Sequence, residues 1–125
     1  MKKILLLPLL LVSCFCFSQD AKEIIGKPIK IGNLQIAQYD FPNDMNWYDA
    51  RKACAALGNG WRLPTKDELN ILYQNKDKIG GFSSTNYWSS TEHDNLDAWR
   101  QDFDYGFQYF TNKNFDYGVR AVRSF

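Results

Sequence analysis

One histidine in 125 residues, His93, is too little to anchor a zinc site, which needs three or four well-placed nitrogen, sulfur or carboxylate ligands. Cysteine is nearly as scarce. Of three, Cys14 and Cys16 fall in the first sixteen residues, so only Cys54 is left once the amino end is removed, and an internal disulfide is then excluded. Neither sign of charge dominates: fifteen Lys and Arg face fourteen Asp and Glu, and without Lys2 and Lys3 the balance is thirteen to fourteen. Such a chain carries no basic field to recruit nucleic acid or an anionic membrane. No long apolar run follows residue 18, so nothing later in the chain is expected to hold it in a bilayer.

The amino end does hold a pattern. Lys2 and Lys3 precede an apolar stretch, Ile4 to Val12, broken only by Pro8, and Cys16 and Ser18 stand at the minus-three and minus-one positions of a small-residue cleavage site. This predicts a secretory signal over residues 1–18, and hence an exported protein that is periplasmic, displayed on the cell surface or secreted. An alternative reading takes Leu11-Val12-Ser13-Cys14 as a lipobox, which makes Cys14 a lipid anchor and the only route to a membrane. The aromatic Phe15 and Phe17 after Cys14 disfavour it, because a lipoprotein usually begins with a polar tether.

Beyond the signal, residues 19–28 read as a polar leader ending at Pro28, and residues 29–125 as one α+β domain, a length that can bury a core without metal or disulfide. Ile29, Ile31, Leu34 and Ile36 flank the turn dipeptide Gly32-Asn33 as two short extended segments. Asn46 caps a helix whose Trp47, Ala50, Cys54 and Leu57 recur at helical spacing, and Gly58 ends it. Pro64 holds Leu63 extended, while Thr65 and Glu68 form a capping box for a second helix through Leu69, Leu72 and Tyr73 to about Asn75. From Tyr87 the pattern changes to short runs at 87–91, 98–105, 107–111 and 119–123, read as an antiparallel meander. Phe103-Asp104-Tyr105-Gly106 recurs as Phe115-Asp116-Tyr117-Gly118, which reads as two similar strand ends.

The ordered motifs Met45 to Ala50, Cys54, Leu57-Gly58, Gly60 to Thr65 with Glu68-Leu69, Tyr87 to Thr91, and Val119 to Arg123 resemble the Lcl C-terminal domain family, a bacterial family without an assigned function. The resemblance implies a C-type lectin-like fold in which two helices flank small antiparallel sheets and the first and last strands meet; Leu34–Ala37 is then expected to pair with Val119–Val122. The Arg62-Leu63-Pro64-Thr65 run is also similar to the formylglycine-generating enzyme family, whose activity needs carboxyl-terminal cysteines absent here. The Lcl-type family commonly has a cysteine where this chain has Ala121, so Cys54 reads as a small buried side chain rather than half of a cross-link. Calcium lectins of this fold carry Glu-Pro-Asn-like and Trp-Asn-Asp triplets. Trp88-Ser89-Ser90 is the nearest match, and its hydroxyls replace carboxylate and amide ligands poorly.

Trp47, Trp61, Trp88 and Trp99 are expected in the core. Arg62 is expected to be a satisfied rim cation. Glu92, Asp94, Asn95 and Asp97 cluster in one loop as a weak calcium candidate, without EF-hand spacing, so no cofactor is expected. Catalysis has thin support: Asp102 and Asp104 two strand steps apart, and a Cys54–His93 pair that the helical place of Cys54 disfavours. The sequence therefore reads as a non-catalytic binding domain for a glycan or an envelope protein. Asp94, Asn95, Asp97, Tyr105, Tyr109 and Tyr117 are its candidate ligand-binding residues. The rival readings are a glycan-acting enzyme and a purely structural envelope domain.

Overall fold

The computed structural model describes residues 21–125, so the expected export signal, its cleavage after Ser18 and the Cys14 alternative lie outside the described residues. Among these residues four helices and six strands follow in order. Residues 21–25 form α1, then come β1 (Ile29–Ile31), β2 (Leu34–Ile36), α2 (Trp47–Ala56), α3 (Lys66–Gln74) and α4 (Lys76–Ile79). β3 (Asn86–Glu92), β4 (Asp97–Asp102), β5 (Gln108–Asn112) and β6 (Val122–Ser124) complete the chain. Among the described residues no helix is long and apolar enough to cross a membrane.

Local chemistry places the two main helices as expected. Asn46 Oδ1 accepts from the Asp49 amide at 2.9 Å, satisfying one of the free donors at the start of α2. At α3 the box is complete: Glu68 N donates to Thr65 Oγ1 at 3.2 Å and Thr65 N to Glu68 Oε1 at 2.9 Å. The same Glu68 carboxylate takes both Arg62 terminal nitrogens, at 2.7 and 3.1 Å, and Arg62 also donates to Ser124 Oγ; it is the satisfied rim cation expected of it. This guanidinium holds the Glu68 carboxyl below its ordinary value.

Three-stranded antiparallel sheets form at the two ends of the chain order, β1-β2-β6 and β3-β4-β5. β2 meets β6 with Leu34 opposite Ser124 and Ile36 opposite Val122, and Ala37 N continues the ladder to Ala121 O at 3.0 Å. The junction of first and last strands is therefore present, but residues 119–123 do not join the meander. They belong to the other sheet because Arg62 exchanges two backbone bonds with Val122 on the far side of β6. A parallel bridge between Tyr87 and Gly118 ties the sheets together.

Two apolar clusters fill the space between these layers. One gathers Trp47, Ala50, Cys54, Trp61, Leu63, Trp88, Ala98, Val119 and Ala121 under α2; the other gathers Leu34, Ile36, Leu69, Leu72, Tyr87, Phe103 and Val122 under α3. Cys54 and Ala121 share the first cluster, and burial pushes the Cys54 thiol up to about 12. A thiolate reagent is therefore expected to leave the native protein unmodified on the timescale that labels the unfolded chain fully. Cys54→Ala is expected to cost on the order of 1 kcal/mol for the lost volume, read from a denaturant melt. Rapid labelling in native buffer would contradict this packing.

The structure departs from expectation at three places. Residues 21–28 are not a loose leader: Gln38 N and Tyr39 N donate to Ile25 O and Ile24 O at 2.9 and 3.2 Å, and Ile25 packs on the α2 cluster. The two apolar residues in an otherwise polar stretch are what dock it. Second, α4 follows α3 directly, closing at Gly80. Third, Trp99 is only half-buried, because its part of the sheet face is covered by side chains alone: Lys66, whose Nζ lies 3.6 Å from the ring centroid, and the edge-on rings of His93 and Phe110.

Candidate functional site

β4 is the central strand of its sheet and presents different chemistry on each face. On the α3 face, Gln101 is fully buried and donates to Asn70 Oδ1 and Gly106 O, while Gln108 donates to Lys66 O. Further along that face His93 stacks on Phe110, ring centroids 3.7 Å apart and 7° from parallel, with Trp99 edge-on to Phe110 at 5.3 Å. The single histidine is thus a stacking partner at the hairpin end, far from the interior thiol of Cys54.

On the opposite face the register sets Arg100 beside Trp88 on β3 and Tyr109 on β5. Its guanidinium lies 4.9 Å from the Tyr109 ring centroid and 5.5 Å from that of Tyr117, and Nη1 donates to Asn86 Oδ1 at 2.7 Å. Phe107 flanks Tyr109 at 6.2 Å and Phe115 flanks Tyr117 at 6.3 Å. The result is a row: Phe107, Tyr109, Arg100, Tyr117, Phe115. Tyr117 is anchored from beneath by Trp88 at 4.8 Å and by paired backbone bonds to Met45. Among the described residues no carboxylate forms an ion pair with Arg100, and its Nη2 makes no hydrogen bond, so its charge and Nη2 donors are uncommitted; its buried Nε is unpartnered.

Of the six expected ligand-binding residues, Tyr109 and Tyr117 are brought together here. Tyr105 is exposed in the β4–β5 turn, a segment held against α3 by the Tyr73 hydroxyl on Asp104 O. Asp94, Asn95 and Asp97 sit at the other end of β4, about 16 Å away at 3.3 Å per residue. Their loop is built from its own polar groups: Asp94 Oδ1 accepts from the Leu96 and Asp97 amides at 2.9 and 2.8 Å, which lowers its carboxyl below the usual value. Asn95 O accepts from Lys113 Nζ at 2.9 Å, and Glu92 faces the same ammonium at 3.6 Å. Among the described residues no three His, Cys, Asp or Glu side chains converge as a metal site.

Lys113 and Arg100 escaped the sequence reading. Lys113 is buried with Nζ 4.5 Å over the Trp47 ring, pinning the β3–β4 loop to the start of α2. Arg100 carried one signal, a cation within the strand-like run Ala98-Trp99-Arg100-Gln101. The acid–base pair Asp102 and Asp104 does not share a strand face, because β4 ends at Asp102 and its carboxylate accepts the Asp104 amide in the turn. Ser89 is buried and spends its hydroxyl on Trp99 O, so the Trp88-Ser89-Ser90 run is structural.

Two concavities lie apart from the row. An apolar groove of about 430 Å³ runs between α1 and α2, lined by Ala21, Ile24, Phe41, Ala53 and Leu57; Lys76, Gly80 to Ser84 and Phe103 line a smaller polar cleft. Neither shares a residue with the row, and Glu23 is the one charged side chain lining the groove.

Helices beside two small antiparallel sheets, closed by the meeting of first and last strands, define a C-type lectin-like fold. Botrocetin superposes with a TM-score of 0.59 at 10% identity over 80% of this chain and 98% of its own. EMS16, an antagonist of collagen receptor integrin α2β1, gives 0.59 at 11% identity over 78% and 97%, and botrocetin in complex with the von Willebrand factor A1 domain gives 0.56 at 11% over 80% and 98%. The chain belongs to the Lcl C-terminal domain family, whose profile matches residues 21–123. No curated protein matches it.

Proposed function

We propose that this is an exported, non-catalytic binding module whose recognition face is the row from Phe107 to Phe115 centred on Arg100. The observation that carries the reading is the combination of two tyrosine rings, two exposed phenylalanines and a guanidinium without an ion-pair partner on one rigid sheet face. Flat aromatic faces stack on sugar rings while nearby donors reach the hydroxyls, and the spacing of the row suits a short glycan laid across β4 and β5. Asp94, Asn95 and Asp97 at one end and Tyr105 at the other border it. Calcium is not required on this reading, since Asp94 is committed to its own turn and Glu92 to Lys113.

An envelope protein is the second occupant, favoured by Phe107 and Phe115, which bring apolar area without a polar group to address a sugar. Botrocetin, bound to a von Willebrand factor domain, illustrates this fold engaging a protein. A glycan array and an envelope-extract capture, run with the parent protein and with Arg100→Ala/Tyr109→Ala, decide the matter. The parent is expected to bind with or without a calcium chelator, and the double variant to lose at least tenfold in affinity while melting within a few degrees of the parent. Undiminished binding by the variant would place recognition elsewhere.

A further inference from the structure

Arginine carries its N–H donors on a flat guanidinium with two usable edges, Nη1 with Nη2 at the tip and Nε with Nη2 along the side. Either edge matches the paired oxygens of a carboxylate. In Arg100 only Nη1 is used, on Asn86 Oδ1 at 2.7 Å. That bond and the rings of Tyr109 and Tyr117, 4.9 and 5.5 Å from the guanidinium, hold the group on the sheet face. Its side edge is left over: Nε is buried without a partner, and Nη2 makes no hydrogen bond among the described residues. A buried donor that lacks an acceptor is rare, because it has given up water for nothing. A second such atom lies on the same face. Thr111 stands opposite Ala98 while Arg100 stands opposite Tyr109, so Thr111 is diagonal to Arg100 across the β4–β5 pair, positions about 7–8 Å apart. Its Oγ1 is also buried and unpartnered, and these two atoms are the only ones of that kind among the described side chains.

We propose that the side edge of Arg100 is a carboxylate site, so that the glycan taken by the row is an acidic one with a uronate- or sialate-type carboxyl; this rests on the reading of the row as the recognition face. One carboxylate oxygen accepts from Nε and the other from Nη2, and the Thr111 hydroxyl donates to the same group. Tyr109 is half-exposed; it turns outwards to admit the oxygen to Nε, and its ring then stacks on the sugar.

Charge selects among ligands. Arg100 is the only cation in the row, so a single carboxylate neutralises it, whereas a phosphomonoester of charge about −1.5 to −2 leaves an excess. Asp102, two residues along β4 on the same face, supplies no positive charge and uses Oδ1 on the Asp104 amide. A neutral sugar brings hydroxyls in place of a charged acceptor, and hydrogen bonds to a neutral oxygen are about half as strong.

Glucuronate, galacturonate and sialate oligosaccharides, each beside its methyl ester, probe the site by titration calorimetry with the purified protein. At least one acid is expected to bind, and its ester, which keeps the rings and hydroxyls but not the charge, to bind about tenfold more weakly or worse. Arg100→Lys keeps the charge but gives up the fork, so it is expected to lose about tenfold towards the acid and little towards the ester. In proton–nitrogen correlation spectra of the parent, the Arg100 Nε–H signal is expected to move with the acid and to stay in place with the ester, a readout that needs no variant. Equal binding of acid and ester that is lost in Arg100→Ala/Tyr109→Ala would overturn the carboxylate site and leave the row standing as the recognition face. Acid binding that the double variant retains would overturn both. Failure of every acid to bind, Arg100→Lys binding the acid as the parent does, or preference for an oligoglutamate peptide over every sugar acid would overturn the acidic-glycan assignment.

Discussion

A chain shortened to end at Gly118 is expected to lose its cooperative thermal transition entirely. The seven residues removed include β6, which is bonded on one side to β2 and on the other to Arg62. They also include Val119, whose carbonyl accepts the Phe41 amide, and Ala121, whose carbonyl accepts the Ala37 amide. Val119, Ala121 and Val122 are fully buried, in both apolar clusters. Each buried valine is worth about 1.5–3 kcal/mol, and a removed member of a buried ion pair about 3–5 kcal/mol more, against a typical total stability of 5–15 kcal/mol. Circular dichroism of the truncated protein on heating checks this. A soluble truncation with a sharp melt would mean that the closing strand is dispensable.

Arg120→Ala is expected to be the most damaging single substitution on the polar side of the fold, costing about 3–5 kcal/mol and well over 10 °C in Tm. Arg120 is interior, with Nε on Asp40 Oδ1 at 2.7 Å, Nη1 on Ala37 O and Nη2 on Gly80 O, both at 3.2 Å, and its plane 4.1 Å from the Phe82 centroid. Tyr87 donates its hydroxyl to the other Asp40 oxygen and accepts from Ser83 N at 2.8 Å. Burial holds the Asp40 carboxyl above its ordinary value, opposed by the charge of Arg120 and the Tyr87 hydroxyl. Removing the guanidinium removes the chief opposition and raises that carboxyl further. A carboxyl with a raised folded-state pKa favours folding below its unfolded value of 3.8, and the benefit fades as pH rises through the folded value. The deficit of Arg120→Ala is therefore expected to grow from about pH 4 towards neutrality. Urea melts of parent and variant at several pH values measure it. A deficit that is constant with pH would mean that Asp40 does not feel the lost charge. Adding Asp40→Asn to Arg120→Met should recover part of the loss, since no unpaired charge is then left inside.

Features written in neighbouring residues were legible in the sequence. Asn46 with Asp49 and Thr65 with Glu68 each specify a helix start through side chains three residues apart, and both caps stand in the structure. The fold and the pairing of Leu34–Ala37 with the last strand came instead from the resemblance of ordered motifs. What could not be read is chemistry decided by which layer covers a strand. Trp99 and Trp88 sit in similar alternating runs, yet one is half-covered by a lysine and the other lies under α2. The two Phe-Asp-Tyr-Gly runs make the same point. Phe103 is core and Tyr105 exposed in the first, where Gly106 has φ +87°; in the second Phe115 is exposed and Tyr117 packs on Trp88. Identical local words took opposite roles because one turns a hairpin and the other runs back across the sheet. The candidate face was legible in Tyr109 and Tyr117 but not in Arg100, whose place between them exists only once β5 and the 113–118 segment flank β4.

Recognition through that face is tested most directly by nuclear magnetic resonance of the isotopically labelled protein. On titrating in the tightest-binding glycan or protein from the screens, the largest shift changes are expected at the Arg100 side chain and at Phe107, Tyr109, Phe115 and Tyr117. Residues 21–25 and 53–57, lining the apolar groove, should stay unchanged. Changes concentrated in that groove, or in the 93–97 loop with the row unmoved, would contradict the claim that this protein binds through the aromatic face of its second sheet.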